Sequence, residues 1–416
     1  MNNYIKLYKN ELNIFGLFIY IFFLMEQGNN QEKETEEIPV SYEDWDSMNL
    51  KEDVLRGIYT NGFEKPSYIQ SQSIPVITSG KDTIAQAQSG MGKTGAFSIS
   101  ILQSIVLGEN RTQAIVLSPT HELAKQTYDV LMKLGSYMTG LTVKLLIGGT
   151  SIREDISSIE KSPPHIVIGC SGRVYDMICR KALKTRNLKM IILDEADEML
   201  SKGFKDQIYD IYQYMPESLQ SVVISATLPH EVLDITTKFM RDPTKILMKV
   251  EKLNLDCIAQ YYIAIQDDYM KYDVLKDLYS SISVSQSIIY CNSVNRVMNL
   301  YEAMLGEGFS VCCIHSSMDK QVRQTEFKKF RDGHYRVLIS SDITARGIDI
   351  QHVSTVINFD IPKSPYTYLH RIGRSGRWGR KGMAINFITL RDLNTMRKLE
   401  DFYKITIKEL PKNFDC

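Results

Sequence analysis

Thr83-Ile84-Ala85-Gln86-Ala87-Gln88-Ser89-Gly90-Met91-Gly92-Lys93-Thr94 decides the fold. A short β-prone run enters a glycine-rich turn, and helical spacing follows. Gly90 and Gly92 let the backbone curl so that several N–H groups converge on one phosphate at a helix N-terminus. Lys93 then reaches the outer phosphates of a nucleoside triphosphate, and the Thr94 hydroxyl is placed for Mg²⁺. Ala87 stands where the general pattern has its first glycine, so the match rests on the strand–loop–helix context. Ser89, Gly90, Met91, Gly92, Lys93 and Thr94 are the expected phosphate cradle.

Outward from this stretch the pattern alternates. Thr83–Ala87, Ala114–Ser118, His165–Gly169, Met190–Asp194 and Val222–Ala226 read as strands separated by helical segments, the signature of a mostly parallel sheet with crossover helices. The alternation breaks over the charged stretch near Lys249–Asp256. It resumes with Ser287–Cys291, Ser310–Ile314, Arg336–Ser341, Thr355–Phe359 and Ala384–Ile388. The expected architecture is α/β: two domains, each a mostly parallel sheet flanked by helices, joined by a short linker. The expected boundaries are 1–40 for an N-terminal extension and disordered tail, 41–249 for the first domain, 250–256 for the linker and 257–416 for the second domain.

The 416 residues carry equal numbers of basic and acidic side chains, 49 each, which argues against an indiscriminate basic surface and leaves room for a local groove. The seven cysteines form no CxxC pair and no zinc spacing, and their odd number points to a reducing compartment. Lys6 and Lys9 precede an apolar run from Leu12 to Met25 that is short for a membrane span and has no small-x-small cleavage site after it. The acidic, polar stretch Glu26–Glu37 reads as a disordered tail. Met25 is the expected start of the functional chain, a signal or anchor being the competing reading.

A second chemical element lies further on. Met190-Ile191-Ile192-Leu193 reads as a buried strand, with Asp194-Glu195-Ala196-Asp197 at its C-terminal end, where open α/β sheets bind ligands. One carboxylate there can hold Mg²⁺, and its neighbour can orient water toward a γ-phosphate. Acids at a helix start are otherwise merely favourable to the helix dipole. Lys93 and Thr94 tilt the reading to catalysis.

These residues resemble the DEAD-box RNA helicases, whose signature is Asp194-Glu195-Ala196-Asp197 itself. Gly62-Phe63-Glu64-Lys65-Pro66 with Gln70 resembles the family's adenine-recognition motif, with Trp45 as its upstream aromatic. Ser225-Ala226-Thr227 resembles the motif that links hydrolysis to unwinding. Asp342–Asp349, with Ala345-Arg346-Gly347, and His370–Arg377 resemble the second-domain motifs. The resemblance runs from about Tyr42 to Pro411 and leans to the group of eukaryotic initiation factor four-A and its nuclear paralogues.

The resemblance implies two RecA-like domains and an ATP-dependent, Mg²⁺-requiring RNA helicase of the nucleus or cytoplasm, acting in translation initiation, splicing-linked complexes or ribosomal RNA processing. Phe63, Lys65 and Gln70 would hold adenine, and Asp349 the ribose side. Lys93, Asp194 and Glu195 would serve catalysis, with Thr94 and Asp194 on the metal and Arg374 and Arg377 as arginine fingers. His370, Arg374 and Arg377 recur at helical spacing. Asp197, Ser225, Thr227 and His370 would couple the domains. Pro119, Thr120, Gly149, Arg173 and Ser341 would meet the backbone of single-stranded or duplex RNA. Gln70 has a local competitor, since Ser67-x-x-Gln70 also fits a helix capping box. Four departures from the family stand out: His121 for arginine, Cys170-Ser171 for Thr-Pro, Ser316 for glycine and Lys320 for glutamine. They predict a weaker RNA face and reliance on a protein scaffold that stimulates closure. The expected chain is monomeric and off the membrane. The rival functions are an ATP-gated RNA clamp with little unwinding and a DNA translocase.

Overall fold

The computed structural model describes residues 42–411, apart from Ser89 and the stretches 201–203, 248–257, 282–284, 345–352 and 376–381. The extension 1–40, the linker 250–256, Ser89, Asp349 and Arg377 therefore lie outside the described residues. So does the side chain of Lys320.

Among the described residues there are two seven-stranded sheets. The first holds β1 (Thr83–Gln86), β2 (Ala114–Leu117), β3 (Val143–Leu146), β4 (Ile166–Gly169), β5 (Met190–Asp194), β6 (Gln220–Ser225) and β7 (Thr244–Leu247). The second holds β8 (Ile258–Ala264), β9 (Gln286–Tyr290), β10 (Val311–Ile314), β11 (Val337–Ser340), β12 (Val353–Asn358), β13 (Gly382–Ile388) and β14 (Lys408–Glu409). Every pairing is parallel. The strand orders are β3-β4-β2-β5-β6-β1-β7 and β10-β11-β9-β12-β13-β8-β14, the same arrangement strand for strand. A parallel sheet needs both faces covered, so its inner strands are continuous apolar runs. β2, β4 and β5 are accordingly buried along their whole length.

The predicted strands all form, each within two residues of its expected ends. β3, β7, β8 and β14 were not foreseen. Three of these lie at sheet edges and the fourth beside one. With one side facing solvent they lack the unbroken apolar run that marks a central strand: Lys144 interrupts β3, and most of β8 is half-exposed.

The turn after β1 enters the helix Lys93–Ser104, which is buried for most of its length against the helix Tyr68–Thr78. In the second sheet the matching position, after β8, leads to the helix Lys271–Ser281. Its first residue, Lys271, is buried and ion-paired to Asp268 at 3.0 Å and Asp360 at 3.2 Å. Arg296 closes the group by binding both carboxylates.

Candidate nucleotide and RNA sites

The phosphate cradle sits at the C-terminal ends of β1, β5 and β6, which are neighbours in the first sheet. Gly92 has φ +92°, and a Cβ there would come within 2.7 Å of the Gln70 amide nitrogen. Glycine is thus required both by the left-handed backbone and by the approach of the neighbouring helix. Gln70 does what the capping box predicts: its Oε1 accepts from the Ser67 backbone N–H at 2.8 Å. Its Nε2 donates to the Gly92 carbonyl at 3.2 Å, and the Ser67 hydroxyl donates to the Met91 carbonyl at 2.8 Å. The adenine-motif helix is thereby stitched to the phosphate loop. Trp45 is fully buried and donates its indole N–H to the Phe63 carbonyl at 3.0 Å, fixing the segment that carries the Phe63 ring beside Gly95. Lys65 is exposed.

Lys93 is buried, with its ammonium 3.5 Å from Glu195 Oε1. Glu195 takes a left-handed backbone conformation at φ 49°, and its N–H donates to Asp194 Oδ1 at 3.0 Å. Such a conformation costs a non-glycine residue about 1–3 kcal/mol and persists only where the surroundings impose it. Burial, reinforced by the Glu195 charge and opposed by Lys93, pushes the Asp194 carboxyl up to about 7. Asp194 Oδ2 and Glu195 Oε2 are buried with no hydrogen-bond partner in the protein. An unpartnered buried carboxylate oxygen is what a Mg²⁺ ligand presents before the ion arrives. No group of three or more His, Cys, Asp or Glu among the described residues could hold a metal.

The four residues expected to couple the domains are brought together. Ser225 Oγ accepts from the backbone N–H groups of Asp197 and Thr227 at 3.3 and 3.4 Å. Asp197 Oδ2 accepts from the Thr227 hydroxyl at 2.5 Å and lies 2.8 Å from His370 Nε2, which the second sheet supplies. His370 lies on the helix Pro365–Ile372, but the helix ends before Arg374. The helical spacing of His370 and Arg374 therefore does not reflect one continuous helix face. Arg374 follows in a turn, with its Nε donating to the His370 carbonyl at 3.2 Å. It is buried, and the Glu195 charge acts on it across the cleft.

The expected RNA residues occupy the other half of each sheet edge. Pro119 and Thr120 follow β2, Gly149 follows β3, Arg173 lies just past β4, and Ser341 follows β11. Thr120 caps the helix His121–Leu134 by accepting from the Leu123 N–H, so His121 opens that helix. Ser171, one of the departures, donates its hydroxyl to Gln207 at 2.8 Å, a tie that proline could not make. Ser316 is exposed. Arg173 is not held out toward a ligand: its guanidinium is bonded to Asp155 and Thr150.

Comparison with known proteins decides the family. Residues 67–235 match the DEAD/DEAH box helicase model, and residues 270–379 match the helicase conserved C-terminal domain. The chain belongs to the DEAD-box RNA helicases. It is 51% identical to eukaryotic initiation factor 4A of Caenorhabditis elegans over 89% of this chain and 92% of that one. It is also 51% identical to the ATP-dependent RNA helicase FAL1 of Gibberella zeae, with the same coverage. Among solved structures it resembles Saccharomyces cerevisiae Dbp5 bound to RNA and ADP BeF3, with a TM-score of 0.84 and 33% identity over 89% of this chain and 96% of that one. No helix of the described residues is long and apolar enough to cross a membrane.

One cross-cleft contact of this helicase was not foreseen. Glu122, beside His121, pairs with Arg323 of the second lobe at 2.8 Å, and both side chains are about nine-tenths buried. Glu122 follows a Thr N-cap, and an acid in the first turn of a helix is explained by the helix dipole alone. Its partner is 201 residues away in the chain. Only the spatial arrangement reveals the pair.

Proposed function

We propose that this DEAD-box helicase hydrolyses ATP to remodel RNA by closing its two lobes on both ligands. One observation carries the reading. Asp197, two residues from the proposed base Glu195, is bonded at once to Thr227 of its own lobe and to His370 of the other. The contact between the lobes therefore ends on a carboxylate two residues from Glu195. ATP sits with its phosphates against Lys93 and the glycine loop, and with adenine near Gln70 and Phe63. Thr94 and Asp194 would hold Mg²⁺, which would supply positive charge beside the phosphate oxygens. Glu195 orients the attacking water and takes its proton. Arg374, together with Arg377, meets the charge that develops on the γ-phosphate. Asp349 contacts the ribose side. Pro119, Thr120, Gly149 and Ser341 line the RNA backbone.

The lobes correspond to 41–249 and 257–416, with 250–256 between them. ATP and RNA each favour the closed form, so each raises the affinity for the other. A protein scaffold that stabilises closure would act in the same direction on a monomeric helicase in the nucleus or cytoplasm. The similarity to relatives named as initiation factor 4A and FAL1 supports work in translation initiation or ribosomal RNA processing. A clamp without turnover is not favoured, because the helicase relatives match over nine-tenths of their length.

Glu195→Gln tests the chemistry. It keeps size and removes the base, so RNA-stimulated phosphate release should fall by about 10²–10⁴. ATP and RNA should then stay bound together in a long-lived complex. Release at the parent rate would remove Glu195 from this role.

A further inference from the structure

Arg173 stands on the RNA side of the first lobe, yet its side chain is only 9% exposed and both of its Nη atoms are bonded within the protein. Nη1 donates to Asp155 Oδ2 at 2.5 Å and to the Thr150 hydroxyl at 2.9 Å, and Nη2 donates to the Thr150 carbonyl at 2.9 Å. Asp155 is itself buried on the helix Ile152–Lys161. Its Oδ2 also accepts from the Thr150 hydroxyl at 3.1 Å, and its Oδ1 pairs with Lys144 of β3 at 3.0 Å. One carboxylate thus gathers the β3 edge, the Gly148–Ser151 turn and the start of the helix Ser171–Cys179.

We propose that Asp155 is a positioning residue for RNA: it clips the Gly148–Ser151 turn to the Ser171–Cys179 helix, and Arg173 serves the RNA face through that clip rather than by meeting a phosphate. The proposal rests on the RNA-helicase reading above. Of the five N–H donors of the Arg173 guanidinium, three go to a buried carboxylate, a hydroxyl and a carbonyl, which engages the Nη1–Nη2 fork. Turning Nη1 to a phosphate would leave the Asp155 charge with Lys144 alone. What faces the RNA is then the backbone of the turn, where Gly149 has φ +95°, and the helix start, each held in place by the other. Lys144 balances the second carboxylate oxygen, so the group carries net positive charge without a free cation.

Simple electrostatics and the clip predict opposite signs. Removing the negative charge of Asp155 makes the face more positive and should tighten RNA binding if charge alone matters. If Asp155 is a clip, Asp155→Asn weakens RNA binding about tenfold, the scale of one lost charge-assisted hydrogen bond. The measurement is the affinity of the full chain for a labelled single-stranded RNA, with a non-hydrolysable ATP analogue, at several salt concentrations. ATP affinity without RNA and the unfolding midpoint are recorded in parallel. The expected result is weaker RNA binding with an unchanged salt slope and unchanged ATP affinity. Arg173→Lys guards against an Asp155 variant that fails to fold, since it keeps the charge and loses the fork. It should weaken RNA binding by a similar factor. Asp155→Asn that binds RNA as tightly as the parent or tighter overturns the clip. So does Arg173→Ala that flattens the salt slope by about 0.7, the signature of a lost phosphate contact. A parent chain that neither binds RNA nor is stimulated by it would instead overturn the function on which the proposal rests.

Discussion

At the scale of single residues the nucleotide site shows side chains holding two roles. Gln70 closes a capping box with Ser67 and holds the Gly92 carbonyl, so its amide is fixed in one orientation before any base arrives. If that amide also reads adenine, Gln70→Ala should reduce the preference for ATP over GTP by about 1–3 kcal/mol, the worth of a bidentate base contact. Steady-state hydrolysis of the two nucleotides, in the parent and the variant, checks this. Equal use of both by the parent would end the adenine assignment. Asp194 offers a second test. Its carboxyl is pushed up to about 7, and a Mg²⁺ ligand must be ionised. Binding of Mg²⁺ and nucleotide should therefore release a proton below about pH 7 and none at pH 9, where Asp194 is already ionised. Calorimetry in two buffers of different ionisation enthalpy reads the proton count. Identical apparent enthalpies at pH 6.5 would show that Asp194 is ionised before the metal binds.

At the scale of elements, two polar contacts of different kinds cross the cleft among the described residues. Asp197–His370 joins the chemistry to the second lobe, while Glu122–Arg323 joins a helix beside the RNA residues to the helix Lys320–Arg331. Truncating one partner of a buried pair strands the other charge at a cost of about 3–5 kcal/mol. Arg323→Ala should thus weaken closure in the presence of an ATP analogue and RNA, while adding Glu122→Ala should restore part of the loss. Energy transfer between dyes on the two lobes measures this. A double variant no better than the single one would mean that the pair does not set the closed state.

The same scale shows what could be read from the chain alone. β2, β4, β5 and β11 were legible because buried parallel strands are unbroken apolar runs. The phosphate loop was legible because glycine, lysine and threonine stand in chain order. β3 and β7 were not, since an edge strand needs only one apolar face. The end of the Pro365–Ile372 helix was also hidden, because a regular spacing of His370 and Arg374 is equally compatible with a helix and with a turn after one. The Glu122–Arg323 pair and the engagement of Arg173 by Asp155 depend on contacts distant in the chain, which no local pattern carries.

At the scale of the whole molecule, the core of the first lobe takes in side chains from Trp45 onward among the described residues. Trp45 and Val54 belong to the first hydrophobic core, and the family resemblance starts at about Tyr42. A chain started at Met25 should therefore keep full RNA-stimulated ATPase and remain in solution. Its specific activity against that of the 416-residue protein is the check, and a loss of more than about half would place a working part before residue 25.

The matching strand orders carry a consequence of another kind. β8 holds the place of β1 and β12 the place of β5, and in each lobe a buried lysine opens the next long helix and pairs with an acid just past the second strand: Lys93 with Glu195, Lys271 with Asp360. In the first lobe the lysine pairs with one carboxylate, Glu195. In the second, Asp268 from the preceding turn adds a second carboxylate, and Arg296 binds both acids. The second lobe thus balances the charge of its buried lysine with acids of the chain itself, whereas in the first lobe the corresponding helix opens on the glycine loop.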